Sequence, residues 1–259
     1  MNYKSIKYQV TNGVARIIFN RPDQLNAMNR AMMEEIIDAL KTVDDSDEKL
    51  VRVCVLTGEG KAFMAGADIK EYATQTLEQF EAFQLRGRSL YHAIEFNSKP
   101  VVAAVNGYAF GGGFEIALSC DLILARQHSK MGLPEINLKL IPGGGGTQRL
   151  AKKTGTNYAN ELIMTGRSAT AEELLGRGLV NHVFAKETFD EEVEQFAAEL
   201  AKRPADRLAA IKGLTKHSQG EVDPTALDRE MEALSRFYQS AEGQASIQSF
   251  YQQSLEKKK

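Results

Sequence analysis

Asn106-Gly-Tyr-Ala-Phe-Gly-Gly-Gly-Phe-Glu-Ile-Ala-Leu-Ser-Cys-Asp121 is the stretch on which the reading of this chain turns. It follows Val101-Val-Ala-Ala-Val105, a short apolar run with no polar face, which reads as a buried strand. Gly107, Gly111, Gly112 and Gly113 come next, ahead of a helical patch carrying Phe114, Ile116, Ala117 and Cys120. Glycines at a strand-to-helix turn permit positive φ and close backbone approach. They also leave the first helical amides unpaired at the positive end of the dipole, where negative charge is favoured. Glu115 falls in that first turn. Two readings fit this segment alone: a structural turn with a dipole-compensating acid, or a catalytic loop with a carboxylate beside an anion site.

Upstream, Ile6 to Phe19 forms two short runs broken by Asn12-Gly13, a hairpin signal, and Asn20-Arg-Pro-Asp23 ends it. Met32, Ile36, Leu40 and Val43 share one helical stripe, with Glu34, Glu35, Asp38 and Lys41 facing away. Val51 to Leu56 is a strand, and the helical segment Leu77 to Ile94 joins it to Val101–Val105 as a parallel pair. Leu122 to Ala125 is a third strand. The alternation points to α/β architecture, read as turns of a β-β-α spiral. After Pro142 the chain reads as helical: Thr170 and Glu173 have capping-box spacing ahead of a stop at Gly176, and amphipathic helices are expected over 190–202, 204–216 and 224–240. The expected division is a core over 1–195 and a helical C-terminal subdomain over 196–259, with a frayed tail at Leu255–Lys259.

Composition narrows the function. A net charge of −2 gives no reason to expect nucleic acid or an anionic membrane as partner. No apolar run approaches spanning length, and the N-terminus runs straight into strand pattern rather than a targeting peptide. Cys54 and Cys120 lie in apolar surroundings without CxxC, as reduced core residues do, so a cytoplasmic location is expected.

Two further loops carry small residues and acids. Gly60-Lys-Ala-Phe-Met-Ala-Gly-Ala-Asp-Ile-Lys-Glu71 leaves backbone uncovered at Ala65, Gly66 and Ala67 before a possible helix start. Met131 to Arg149 sets Glu135 among Leu133, Pro134, Ile136 and Leu138, ahead of Gly143 to Gly146. A carboxyl in apolar company has a raised pKa, suited to proton transfer near neutrality. The P-loop pattern is absent, since Ala62 follows Lys61; so are GxGxxG after a strand and the GxSxG elbow. His92, His128, His182 and His217 are scattered without metal-ligand spacing, and no metal is expected.

Five motifs in order then carry a family resemblance: Asn20-Arg-Pro-x-x-Leu-Asn-Ala27, Phe63-Met-Ala-Gly-Ala-Asp-Ile-Lys70, Asn106 to Glu115, Pro134-Glu135 with Ile141-Pro-Gly-Gly-Gly-Gly-Thr-Gln-Arg-Leu150, and Gly178-Leu-Val180. The chain resembles the crotonase superfamily over nearly its whole length, and within it the enoyl-CoA hydratases. The resemblance implies the crotonase (ClpP-like) spiral closed by C-terminal helices, a homo-oligomer of trimers, commonly a hexamer, and an acyl-CoA thioester as substrate, with no cofactor beyond the coenzyme A of that substrate. It makes Glu115 and Glu135 the acid/base pair and the amides of Ala67 and Gly112 the oxyanion hole. It places Leu25, Asn26, Ala27, Ala65, Gly66, Ala67, Asp68, Ile69 and Lys70 along the CoA path, counts Gly112 among the substrate-binding residues through its oxyanion amide, and sets Gly143 near the reacting carbons. A double-bond isomerase, which needs one shuttling carboxylate, and a non-catalytic RNA-binding or structural member are the alternatives. Two departures stand out: Lys139, where a small or uncharged residue is expected, and a C-terminal segment from Glu242 that follows the family ending only loosely.

Overall fold

Asn12 and Gly13 take φ of 51° and 81° and fold strand β1 (Ile6–Thr11) back on strand β2 (Val14–Phe19) as an antiparallel hairpin. This is the turn that Asn-Gly favours. The computed structural model describes residues 3–216 together with Arg236, Ser240, Ala241 and Ala245. The expected helix over 224–240, apart from Arg236 and Ser240, and the tail lie outside the described residues.

After a one-turn 3-10 segment at Pro22–Gln24, Asn29 starts helix α1 (Arg30–Asp45) by accepting from the Met32 amide at 2.9 Å. The helix buries Met32, Met33, Ile36, Ala39, Leu40 and Val43, the stripe expected from their spacing. Three β-β-α turns follow. The first is β3 (Val53–Gly58), β4 (Ala62–Met64), the short α2 (Ile69–Tyr72) and α3 (Leu77–Glu95). The second is β5 (Val101–Val105), β6 (Tyr108–Phe110) and α4 (Gly112–Ser119). The third is β7 (Leu122–Arg126), β8 (Lys130–Gly132), a 3-10 segment at Pro134–Leu138, α5 (Gly146–Thr154) and α6 (Thr156–Thr165). The chain continues through β9 (Ser168–Thr170), α7 (Ala171–Gly176), β10 (His182–Phe184), α8 (Phe189–Ala201) and α9 (Ala205–Lys216).

Each turn of the spiral gives one strand to each of two sheets. The larger has the order β1-β2-β3-β5-β7-β10 and the smaller β4-β6-β8-β9. From β2 to β10 the larger sheet is parallel, as is β4-β6-β8 in the smaller one. Alternate residues of the larger sheet go to two separate cores. Cys54, Leu56, Val101, Ala103 and Val105 join the main cluster with α1, α3 and α4. Val53, Val55, Val102 and Ala104 pack under Phe189, Val193, Ala197 and Ala201 of α8. Burial on both faces is why these strands lack polar alternation. Helix α4 lies so close to β4 that a β-carbon at Gly113 would sit 2.0 Å from the Met64 carbonyl oxygen, a space only glycine fits.

The structure corrects several expectations. The chain beyond Pro142 is not purely helical: β9 and β10 add one strand to each sheet, three residues apiece, too short for alternation to show. Strand β3 begins at Val53 rather than Val51 and runs on to Gly58. Thr170 does cap α7, accepting from the Glu173 amide at 3.2 Å. The Glu173 carboxylate instead accepts from Tyr158 and Arg167, so the box closes on one side through tertiary partners. The chain divides into two compact units, Met1–Arg203 and Pro204–Lys259, with α8 in the first and α9 in the second. Among the described residues no helix is long and apolar enough to cross a membrane.

Candidate active site

The glycine turn after β6 brings three loops together. Gly111 has φ 50° and ψ −125°, and a β-carbon there would lie 3.0 Å from Glu135 Oε1 and 3.8 Å from Gly66 Cα. Around this junction lies a cavity of about 380 Å³ lined by Ala65, Gly66, Ala67 and Ile69 from the loop after β4, by Gly111, Gly112 and Glu115, and by Glu135, Gly143 and Gly144. Met28 and one face of α3, with Phe83, Gln84, Gly87 and Tyr91, close the wall.

Two backbone donors border it. Met28 donates to the Gly66 carbonyl at 2.7 Å and accepts from the Asp68 amide at 2.8 Å, a one-residue parallel bridge to Ala67. In that pattern the bridged residue's own N–H points away from its partner. The amides of Ala67 and of Gly112, first in α4, have no backbone acceptor among the described residues.

The two acids are provided for differently. Glu115 is 3% exposed. Its Oε1 accepts from the amides of Gly144 and Gly146, each at 2.8 Å, and its Oε2 from the Tyr91 hydroxyl at 3.4 Å. Glu115 therefore leans on the glycine run that leads into α5 and not, as its position in the first turn suggested, on the amides of its own helix. Arg149 holds that run in place: it pairs with Glu95 at 2.6 and 2.9 Å and donates to the Gly144 carbonyl at 2.6 Å. Burial raises the Glu115 pKa, while the Gly146 and Gly144 amides, Arg149 and Tyr91 pull it back without cancelling the rise.

Glu135 has less support. Its Oε2 is buried with no hydrogen-bond partner among the described residues. Burial, opposed by its own amide and helped by the Glu115 charge, pushes its pKa up from 4.5 to about 7. The raised value holds the acid protonated in the fold at pH where the unfolded chain has ionised it. Its contribution to stability is thus complete below pH 4.5 and is lost as pH rises through about 7. Glu135→Gln is expected to melt above wild type at pH 8, with the gap closing by pH 5. A gap that does not change with pH in calorimetric melts would contradict the raised pKa.

Not every residue expected on the CoA path borders the cavity. Leu25, Asn26, Ala27, Asp68 and Lys70 are outside its lining. Asn26 is fully buried and spends its side chain on the Ala62 and Glu59 carbonyls and the Arg21 amide. Asp68 caps α2 and pairs with Arg21 at 2.9 Å. Lys139 ends the 3-10 segment at φ 59°, exposed and outside the lining, between Leu138 and Leu140, which belong to it. Gly144, Gly146 and Arg149 stand in the family motif without a role of their own, and Tyr91 carries no sequence signal. Tyr91 sits on a stripe with Phe83, Leu90 and Ile94 that reads as core, whereas the glycine run before Arg149 is a signal the sequence offers.

One buried and one half-buried carboxyl on a single cavity, edged by two amides with no backbone acceptor among the described residues, suit acid/base chemistry on a carbonyl compound. The model of the enoyl-CoA hydratase/isomerase family matches residues 9–259, and the chain belongs to that family. It is 34% identical to the short-chain-enoyl-CoA hydratase of Clostridium acetobutylicum, over 95% of this chain and 92% of that one. It is 36% identical to the crotonyl-CoA hydratase of Syntrophomonas wolfei, over 89% and 87%. The crystal structure of an enoyl-CoA hydratase from Bacillus anthracis superposes with a TM-score of 0.91 at 33% identity, covering 96% of this chain and 97% of that one.

Proposed function

We propose that the protein is an enoyl-CoA hydratase that adds water reversibly across the 2,3 double bond of a 2-enoyl-CoA thioester. The observation that carries this is the placing of Glu115 and Glu135 on one cavity with the Ala67 and Gly112 amides at its edge. The relatives that are themselves hydratases support it.

In this reading the thioester oxygen lies against the two amides. Glu115, the acid with three donors, takes a proton from water as the water oxygen bonds to C3. Charge moves onto the thioester oxygen, where fixed donors stabilise it. Glu135, whose pKa is about 7, delivers its proton to C2. Neighbouring carboxyls disfavour double ionisation, so the pair retains one proton. It now sits on Glu115, and one exchange resets the site. Coenzyme A enters as part of the substrate, and no step calls for another cofactor. Asp68 and Lys70 serve the CoA path at the mouth, beyond the cavity itself. The family resemblance supports a trimer-based homo-oligomer, and a cytoplasmic location fits the two reduced cysteines.

The test is a panel of 2-enoyl-CoAs from four carbons upward. Consumption of the conjugated thioester with formation of 3-hydroxyacyl-CoA is expected, strongest for chains that fit about 380 Å³. Migration of the double bond without water addition would favour the isomerase, and no turnover of any member the non-catalytic reading.

A further inference from the structure

Tyr91 of α3 is buried, and its hydroxyl reaches Glu115 and Gly112 of α4. Tyr91 is 3% exposed, its hydroxyl lies 3.4 Å from Glu115 Oε2, and a β-carbon built on Gly112 would be 3.3 Å from it. The ring alone would satisfy packing beside Phe83, Leu90 and Ile94, and a buried hydroxyl costs stability unless it is partnered. A carboxylate offers roughly four lone-pair positions. Two amides occupy Oε1 of Glu115, and the phenol takes one position on Oε2.

We propose that Tyr91 is a positioning residue for Glu115, fixing its Oε2 so that the one lone pair left open there is the atom that receives the proton from water. This rests on the reading of Glu115 as the water-activating carboxylate. The hydrogen bond is long, as catalytic ones often are before substrate closes the site.

The other groups facing Glu115 leave this role to the phenol. Arg149 from α5 brings a permanent charge but donates to Gly144 and Glu95. Glu95 of α3 is tied up in that pair. Glu135, from the 3-10 segment after β8, is an acid and repels the Glu115 charge. The Gly144 and Gly146 amides hold the opposite oxygen. Tyr91 itself is kept neutral, its pKa driven upward by burial and by Glu115, so it remains a donor. The Arg149 guanidinium stands 5.5 Å over the Tyr91 ring, a stacking that phenylalanine would keep.

Tyr91→Phe therefore removes one donor to a charged oxygen and little else. Two readouts are taken: the pH profile of crotonyl-CoA hydration, and the Glu115 titration by carbon-13 NMR of glutamate-labelled protein, its resonance assigned by its loss in Glu115→Gln. Removing a donor raises the pKa of the carboxylate it served. The expected result is kcat down ~10-fold near pH 6 with KM within ~2-fold, the deficit shrinking to ~3-fold or less near pH 9, and Glu115 titrating at higher pH than in wild type. A loss equal at every pH with the titration unmoved would show a merely structural role and overturn the proposal, as would a wild-type profile. If wild-type protein hydrates nothing, the proposed function falls, while the NMR titration still decides whether Tyr91 holds Glu115. Should the variant not fold, 3-fluorotyrosine in place of all eight tyrosines makes each phenol a stronger donor. The Glu115 titration must then move to lower pH, and a titration that stays put overturns the proposal.

Discussion

Glu115→Gln and Glu135→Gln each lower the hydration rate by at least ~10²-fold, and the double variant is far less than additively worse. Glutamine keeps the size and most hydrogen-bonding capacity of each acid but cannot exchange a proton. At position 115 the amide oxygen still accepts from Gly144 and Gly146, so the glycine run stays seated and the loss falls on chemistry. At position 135 Oε2 has no donor to lose among the described residues, and the residue's own amide is the one hydrogen bond that acts on the carboxyl. Each acid is required in the same step, so removing the second finds little rate left to lose. In a double-bond isomerase only the shuttling acid would matter, and its partner's replacement would be nearly silent. Stopped-flow loss of the conjugated thioester, with melts as a folding control, distinguishes the two.

Ala67→Pro is expected to lower kcat by ~10²–10³-fold, the scale of losing one donor to a developing oxyanion. Proline has no N–H, so the change deletes the proposed donor outright. The flanking bonds of the bridge, Met28 to Gly66 and Asp68 to Met28, do not use that N–H. Affinity for the thioester should therefore fall much less than turnover, because the hydrogen bond strengthens as the enolate forms. Loss of CoA-ester binding in a folded variant, measured by calorimetry, would put Ala67 on the binding path and not at the reacting carbonyl.

What could be seen in the sequence depended on whether one segment carried the signal. The hairpin at Asn12-Gly13, the α1 stripe and the two-sided burial of Val101–Val105 are local patterns, and each is found as expected. The strands of the second sheet, implied by the β-β-α reading, could not be placed one by one because β4, β6, β8 and β9 are three residues each. Glu115 and Glu135 were found because acids beside glycine turns and apolar runs are conspicuous. The raised pKa expected for Glu135 from its apolar company is found. The surroundings of Glu115 were not legible, because distant segments make them: its amides come from residues 29 and 31 positions later, and the phenol from 24 earlier. The same holds for Asn26 and Asp68, whose motif is legible while their bonds to Ala62 and Arg21 are tertiary.

If Glu115 and Glu135 add water to a 2-enoyl thioester, the oxygen of the product comes from solvent and can be followed there. Wild-type protein, Glu115→Gln and Glu135→Gln are incubated with crotonyl-CoA in heavy-oxygen water, and the products are weighed by mass spectrometry. The account predicts 3-hydroxybutyryl-CoA carrying one heavy oxygen from wild type, and at least ~10²-fold less from either variant at equal time. Unlabelled product, or labelled product formed at the wild-type rate by Glu115→Gln, would contradict it.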